Sequence, residues 1–331
     1  MKIINLFFLI FFLFYQTVSK ASNENFTTWV LKFKKTAKEE GISITTINKI
    51  MDNAVFLSKV IEYDRYQPEF YEDTKTYIDK RVTDLKIKIG VDLYNKNLFI
   101  DKVEEKFSVE KELLLSLMGI ETNFGRYLGK MDIISSLATL SFDVRRSEFF
   151  TKELITLLKL IDNNTIDPST LKGSWAGAFG NFQFMPTTIN TYAIDYNSNS
   201  IIELKELEDS FASAANYLNK IGWKKNKPCF FKIDLNKNTP NKLLNTSAKK
   251  INNKRKLKKF KQYINNYEKI DIDKNTLSAI ITPDKNIVEN ADTLSPAYLI
   301  FENYELILKW NRSLRFALAV CTLRDKFKNE L

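Results

Sequence analysis

The chain of 331 residues is 44% hydrophobic and 27% charged, with 50 Lys and Arg against 40 Asp and Glu, a formal net charge of +10. It contains no histidine, which excludes Ser-His-Asp and Cys-His nucleophile pairs and every histidine metal site. Proton chemistry must then come from carboxylates, tyrosines or lysines, and the positive charge suits an anionic partner such as a cell-wall polymer, a membrane surface or nucleic acid.

The first stretch, MKIINLFFLIFFLFYQTVSKASN, has an early lysine and an apolar run from Ile3 to Tyr15 broken only by Asn5. The run is shorter than the roughly 20 apolar residues of a spanning helix, and Ser19-Lys20-Ala21 fits a small-x-small cleavage site. A signal peptide over 1–21 is expected, with a soluble or loosely membrane-associated exported protein to follow. From 22 to 103 the apolar spacing, as in WVLKFKKTAKEEG and TTINKIMDNAVFL, predicts an N-terminal helical region.

Residues 104–227 open a second helical part. In LLLSLMGIETNFG, Leu113 to Gly125, Ser108 is expected to cap a helix with Glu110 and Glu112 in its first turn. Counting in fours gives Val109, Leu113, Leu117 and Glu121, so a glutamate continues an apolar stripe. Burial and the negative end of the helix dipole would raise its carboxyl pKa, as a general acid requires. The alternative is a glutamate bonding backbone amides in a fraying last turn.

Six of the nine glycines lie between Gly119 and Gly180. GSWAGAFGNFQFMP, Gly173 to Pro186, sets Trp175, Phe179, Phe182 and Phe184 around Gln183, which suits either a sugar-binding cleft or a tightly packed loop with aromatics in the core. DYNSNSIIELKE, Asp195 to Glu206, places Asp195, Asn197, Asn199, a backbone carbonyl at Ile201, Glu203 and Glu206 at EF-hand spacing, with Ser200 where glycine is usual. A polar turn without metal is the other reading.

Between Pro228 and Leu308 short β-prone runs such as CFFKIDL and LSAIITP predict a small α+β insertion over 228–300. Its densest cationic run, KKINNKRKLKKFK, reads as a solvated helix face; sparse aromatics and export argue against nucleic acid. The chain ends in RSLRFALAVCTLRDKF, helical again, so 301–331 is expected to rejoin 104–227 in one core. Cys229 and Cys321 could pair in an oxidising compartment, but Cys321 lies in that apolar run, and packed free thiols are the expectation.

Glu121 in GIETNFGRYLGK, followed by LATLSFDVRRSEFF, LKGSWAGAFGNFQFMPTT, ANYLNKIGW and LKWNRSLRFALAV, resembles the membrane-bound lytic murein transglycosylase B family. The resemblance implies a mainly α protein with a lysozyme-like helical core, located in the periplasm. It implies cleavage of the MurNAc-GlcNAc bond of peptidoglycan glycan strands to a 1,6-anhydro end, without water. Glu121 matches the single catalytic acid/base, and Ser174, Gln183, Tyr217 and Asn311 match positions lining the glycan cleft. Trp310 and Phe316 stand where the family has tyrosines, and Arg145 and Arg146 match a pair that contacts glycan or peptide. The family also carries a calcium loop at 195–206, structural and not required for the chemistry. A monomer that cooperates with cell-wall synthesis or division proteins is expected. The competing readings are a hydrolytic muramidase, with Asp132, Asp143 or Glu148 activating water, and a noncatalytic wall-binding protein.

Overall fold

The computed structural model describes residues 25–66, 72–285 and 287–331; the expected signal peptide lies outside the described residues. Helix α1 covers 25–39, α2 Ile44–Met51, α3 Ser58–Arg65, α4 Thr74–Arg81, α5 Asp84–Lys96 and α6 Phe99–Phe107. They are followed by α7 (Lys111–Thr122), α8 (Ile133–Phe142), α9 (Ser147–Asp162), α10 (Pro186–Tyr192) and α11 (Leu207–Lys220). Near the end come α12 (Glu302–Trp310) and α13 (Leu314–Phe327). The fold is mainly α. Five of its helices start at polar residues whose side chains accept a first-turn amide: Ser43, Asp73, Thr83, Asp132 and Ser313.

The described chain forms two compact units. The first gathers 25–66, Leu128–Thr191 and Ser198–Glu203. Here α8 packs on α9 and α3, and the amides of Val55 and Leu57 donate to Ser135 Oγ and Thr139 Oγ1 at 3.2 and 3.0 Å. A two-stranded ribbon, β1 (Met131–Asp132) against β2 (Lys172–Gly173), leads into the glycine-rich loop.

The second unit gathers 72–127, Tyr192–Asn197 and Leu204–Leu331. Its centre is α7, packed against α13, α5 and α11. Leu113, Leu114, Leu115 and Leu117 are fully buried there, each contributing about 1.5–3 kcal/mol of transfer free energy. The expected start of α7 is corrected. Ser108, with φ 53°, is the left-handed end of α6, and Glu110 is the residue before α7, without a side-chain capping bond. Glu110 instead turns inward to accept from Trp223 Nε1 at 2.7 Å.

Within this unit β3 (Phe230–Ile233), β4 (Leu244–Asn245), β5 (Arg255–Lys256), β6 (Leu277–Ile281) and β7 (Ala297–Ile300) form a sheet of order β3-β7-β6-β4, with β5 on β6. Only β4 and β6 run parallel. The sheet has its own core of Leu243, Leu257, Phe260, Ile280 and Leu299. The cationic run is not an α-helical face: after β5 it forms a 3-10 turn over Leu257–Tyr263 that buries Leu257 and Phe260 at a spacing of three. The free-thiol expectation also fails. Cys229, entering β3, is disulfide-bonded to Cys321 in α13, with Cα atoms 6.2 Å apart. Burial in an apolar helix, the ground for expecting a free thiol, describes a bridged cysteine equally well.

Candidate active site

The stripe on α7 ends as the spacing predicts, but at the edge of the core. Val109, Leu113 and Leu117 are fully buried and Glu121, one turn further, is half-buried. The helix stops one residue later because Asn123, Phe124 and Gly125 take φ values of 49°, 58° and 78°. A bulky residue in the left-handed region is strained, and Phe124 holds that conformation while only 8% exposed. Thr122 braces the turn, its Oγ1 accepting from the Gly125 amide at 3.1 Å.

Glu121 is held by a residue far along the chain. The indole Nε1 of Trp310, last residue of α12, donates to Glu121 Oε1 at 3.0 Å. Trp310 stacks on Tyr217 of α11 at 5.0 Å and 23°, and Tyr217 stacks on Tyr192 at 4.4 Å and 25°. The Tyr217 hydroxyl donates to the Lys309 carbonyl at 3.2 Å. Burial, with Tyr192 adding to it, pushes its pKa up to about 12, so the phenol stays a donor across any ordinary working range. Three flat rings thus lead to one carboxylate. Asn311 ends α12 with its amide donating to Ile307 O at 3.0 Å, and Phe316 is 4% exposed within α13.

The glycine-rich loop belongs to the first unit. Its three phenylalanines take the core alternative: Phe179, Phe182 and Phe184 are buried, while Trp175 is half-buried. Ser174 Oγ accepts from the Ala178 amide at 3.0 Å, and Gln183 Nε2 donates to Gly180 O at 2.9 Å. Gly177 needs its missing side chain, because φ is 87° and a Cβ would stand 2.4 Å from Leu137 Cδ2. In the same unit Arg145 and Arg146 both reach the buried carboxylate of Asp64, Arg145 Nε at 2.9 Å and Arg146 Nη1 at 3.3 Å. Their side chains remain 47% and 40% exposed.

In the loop 195–206, Ser200 has φ 76°, the conformation that the usual glycine serves. Asn199 Oδ1 accepts from the Ile201 amide at 2.9 Å and its Nδ2 donates to Glu203. Glu206 is the exposed residue before α11. Among the described residues no three His, Cys, Asp or Glu side chains gather as a metal group. The oxygen donors Asp195, Asn197, Asn199, Glu206 and the Ile201 carbonyl are nonetheless the chemistry calcium takes.

Sequence reading missed Tyr192, Asp64 and Lys86. The Lys86 Nζ donates to Gly119 O, two residues before Glu121, at 2.8 Å, and burial brings its pKa down to about 8. Tyr192 and Asp64 lie outside every motif; Lys86 had a signal only in standing among apolar residues of α5.

A profile of the transglycosylase SLT domain matches residues 25–325. Over 151 residues the chain is 38% identical to "Membrane-bound lytic murein transglycosylase B" of Escherichia coli (strain K12), a stretch covering 45% of this chain and 42% of that protein. Among solved structures it is similar to SltB3 from Pseudomonas aeruginosa in complex with NAG-anhNAM-pentapeptide, 29% identical with a TM-score of 0.80 over 92% of this chain and 79% of that one. The Escherichia coli lytic transglycosylase Slt35 in complex with calcium is 25% identical, with a TM-score of 0.75 over 93% of this chain and 94% of its own.

Proposed function

The chain belongs to the transglycosylase SLT domain family, an enzyme family with a lysozyme-like helical fold, and from that premise we propose that it is a peptidoglycan lytic transglycosylase cleaving the MurNAc-GlcNAc bond with Glu121 as acid and then base. The observation that carries this reading is the Glu121 carboxyl, half-buried at the end of an apolar helix and held at 3.0 Å by Trp310 Nε1 beside stacked rings. As the C1–O bond breaks, the Glu121 proton passes to the leaving oxygen, and the muramic acetamido group stabilises the cationic carbon. The carboxylate then takes the proton of the sugar's C6 hydroxyl while that oxygen bonds to C1. The product is a 1,6-anhydro end, and no water is consumed. Ordinary glycosidases need a second carboxylate; of the three candidates, Asp132 caps α8, Asp143 pairs with Arg65 at 2.8 Å, and Glu148 is exposed in the first turn of α9.

Trp310, Tyr217 and Asn311 would bind the glycan beside Glu121, and Phe316 would shape that site from the core; in the first unit, Ser174, Gln183, Arg145 and Arg146 are assigned glycan-binding roles. Asp195, Asn197, Asn199, Glu206 and the Ile201 carbonyl would hold a structural calcium ion, whose part is to stiffen the loop. We assign 22–103 to an N-terminal helical region, 104–227 with 301–331 to the catalytic core and 228–300 to the insertion, in an exported periplasmic monomer. The test is digestion of purified sacculi by the protein and by Glu121→Gln. The variant keeps the side-chain volume but has no carboxylic proton, so release of muropeptides should cease; turnover within about threefold of the parent would refute the assignment, since general acid catalysis is worth about 100-fold or more.

A further inference from the structure

The second unit carries a charge imbalance that the glycosidic chemistry does not use. Between Lys224 and Lys261 fourteen Lys and Arg face a single acid, Asp234. Part of that charge converges on one concavity. A groove of about 390 Å³ is lined by Lys249, Lys250 and Ile251 of the insertion and by Leu308, Lys309 and Arg312 at the end of α12. All four cations are exposed. The one acid on its wall, Glu305, is already held by Lys254 at 2.7 Å.

Lys309 and Arg312 have a structural reason to be there, since cations complement the carbonyl end of a helix. Lys249 and Lys250 arrive from a different segment and have none. Four like charges along one concavity repel each other, and an anion seated among them relieves that repulsion. A larger cavity of about 750 Å³ in the same unit makes the contrast: it sets Lys224, Lys227 and Lys254 against Asp271, Asp273, Glu302 and Glu305, and its Lys224–Glu302 pair is closed at 2.6 Å. The groove is also close in the chain to Trp310, the residue that holds the candidate acid. Arg312 lies two residues after Trp310, at most about 7 Å along the chain, and the Lys309 carbonyl is the acceptor for Tyr217.

We propose that this groove is a subsite for the carboxylate-bearing peptide stem of the glycan substrate, read by Lys249, Lys250, Lys309 and Arg312. The inference rests on the transglycosylase reading and extends it from glycan to peptide. A stem of the kind named in the SltB3 complexes, a pentapeptide on the muramic residue, ends in a free carboxylate. Lysine ammonium groups on flexible stems accept such a charge without demanding one orientation.

The experiment measures KM on stem-bearing glycan strands and on strands stripped of peptide by an amidase, using the full chain. In Lys249→Glu/Lys250→Glu the ratio of the two KM values should rise about tenfold, as loss of a complementary charge pair at a binding surface does. Lys249→Arg/Lys250→Arg should restore it, which a folding defect would not allow. Lys258→Glu/Lys259→Glu makes the same charge change on exposed insertion residues outside the groove and should leave the ratio unchanged. An unchanged ratio in the first variant, or an equal rise in the Lys258/Lys259 control, overturns the subsite. Loss of binding to anionic phospholipid vesicles with no change in the ratio would assign the groove to headgroups and overturn it too. A parent chain that cleaves neither substrate removes the transglycosylase reading and the subsite with it, whereas cleavage of both with an unmoved ratio removes the subsite alone.

Discussion

Glu121 and Trp310 stand 189 residues apart and meet through a hydrogen bond. The indole holds the carboxyl in one rotamer, so Trp310→Phe, which keeps a ring against Tyr217 but removes the donor, should lower kcat by about tenfold or more and leave KM nearly unchanged. Steady-state kinetics on soluble glycan fragments checks this, and a change confined to KM would make Trp310 a binding group only. Lys86, beneath the same helix end, gives a pH signature. Its pKa is about 8 in the folded chain against the ordinary 10.5, so between those values the unfolded chain binds the extra proton and stability rises with pH. Urea unfolding of Lys86→Met across that window should show a flatter rise than the parent; an identical slope would mean the amine is not desolvated. Glu121 was legible because an acid repeated an apolar spacing of four. Trp310 entered only through the family resemblance, and its bond to Glu121 was not legible, because the contact depends on where α12 ends in space and nothing local at Trp310 encodes that.

Helices were the readable elements wherever one face is apolar, as in α7, α9 and α13, since that periodicity is the physical cause of their burial. Their ends were less readable. Ser108 looks like a capping serine and is a left-handed terminus, the first of the three residues that link α6 to α7. The aromatics of the glycine-rich loop were equally open to two readings, and only packing separates half-buried Trp175 from the buried phenylalanines. Close helix contacts also hide in sequence: at Gly90 of α5 an added Cβ would stand 2.3 Å from Phe327 Cζ and 3.0 Å from Phe124 Cζ. Gly90→Ala should therefore destabilise the second unit by about 1–3 kcal/mol through overpacking, measured by chemical denaturation. A stabilised variant would show that helix propensity outweighs the clash. The disulfide ties the start of the sheet to α13 across 92 residues, and removing it as Cys229→Ser/Cys321→Ser should cost about 2–4 kcal/mol. A melting temperature unmoved by reductant would contradict that.

For the whole molecule, calcium and product are the two observables. Added calcium should raise the melting temperature, and Asp195→Ala/Glu206→Ala should abolish the rise; an undiminished response in that variant would place the ion elsewhere. Transglycosylase and muramidase differ by one molecule of water in the product. Under the proposed mechanism, positioning the C6 hydroxyl at its own anomeric carbon would give it an effective concentration of about 10⁵ M or more, and cyclisation would then outrun water once Glu121 had protonated the leaving oxygen. Mass spectrometry of muropeptides released from purified sacculi, before and after borohydride, tests this most directly. The account predicts muramic ends that resist reduction, lack the mass of one water and vanish with Glu121→Gln; reducible ends heavier by that water, and dependent on Glu121, would contradict it.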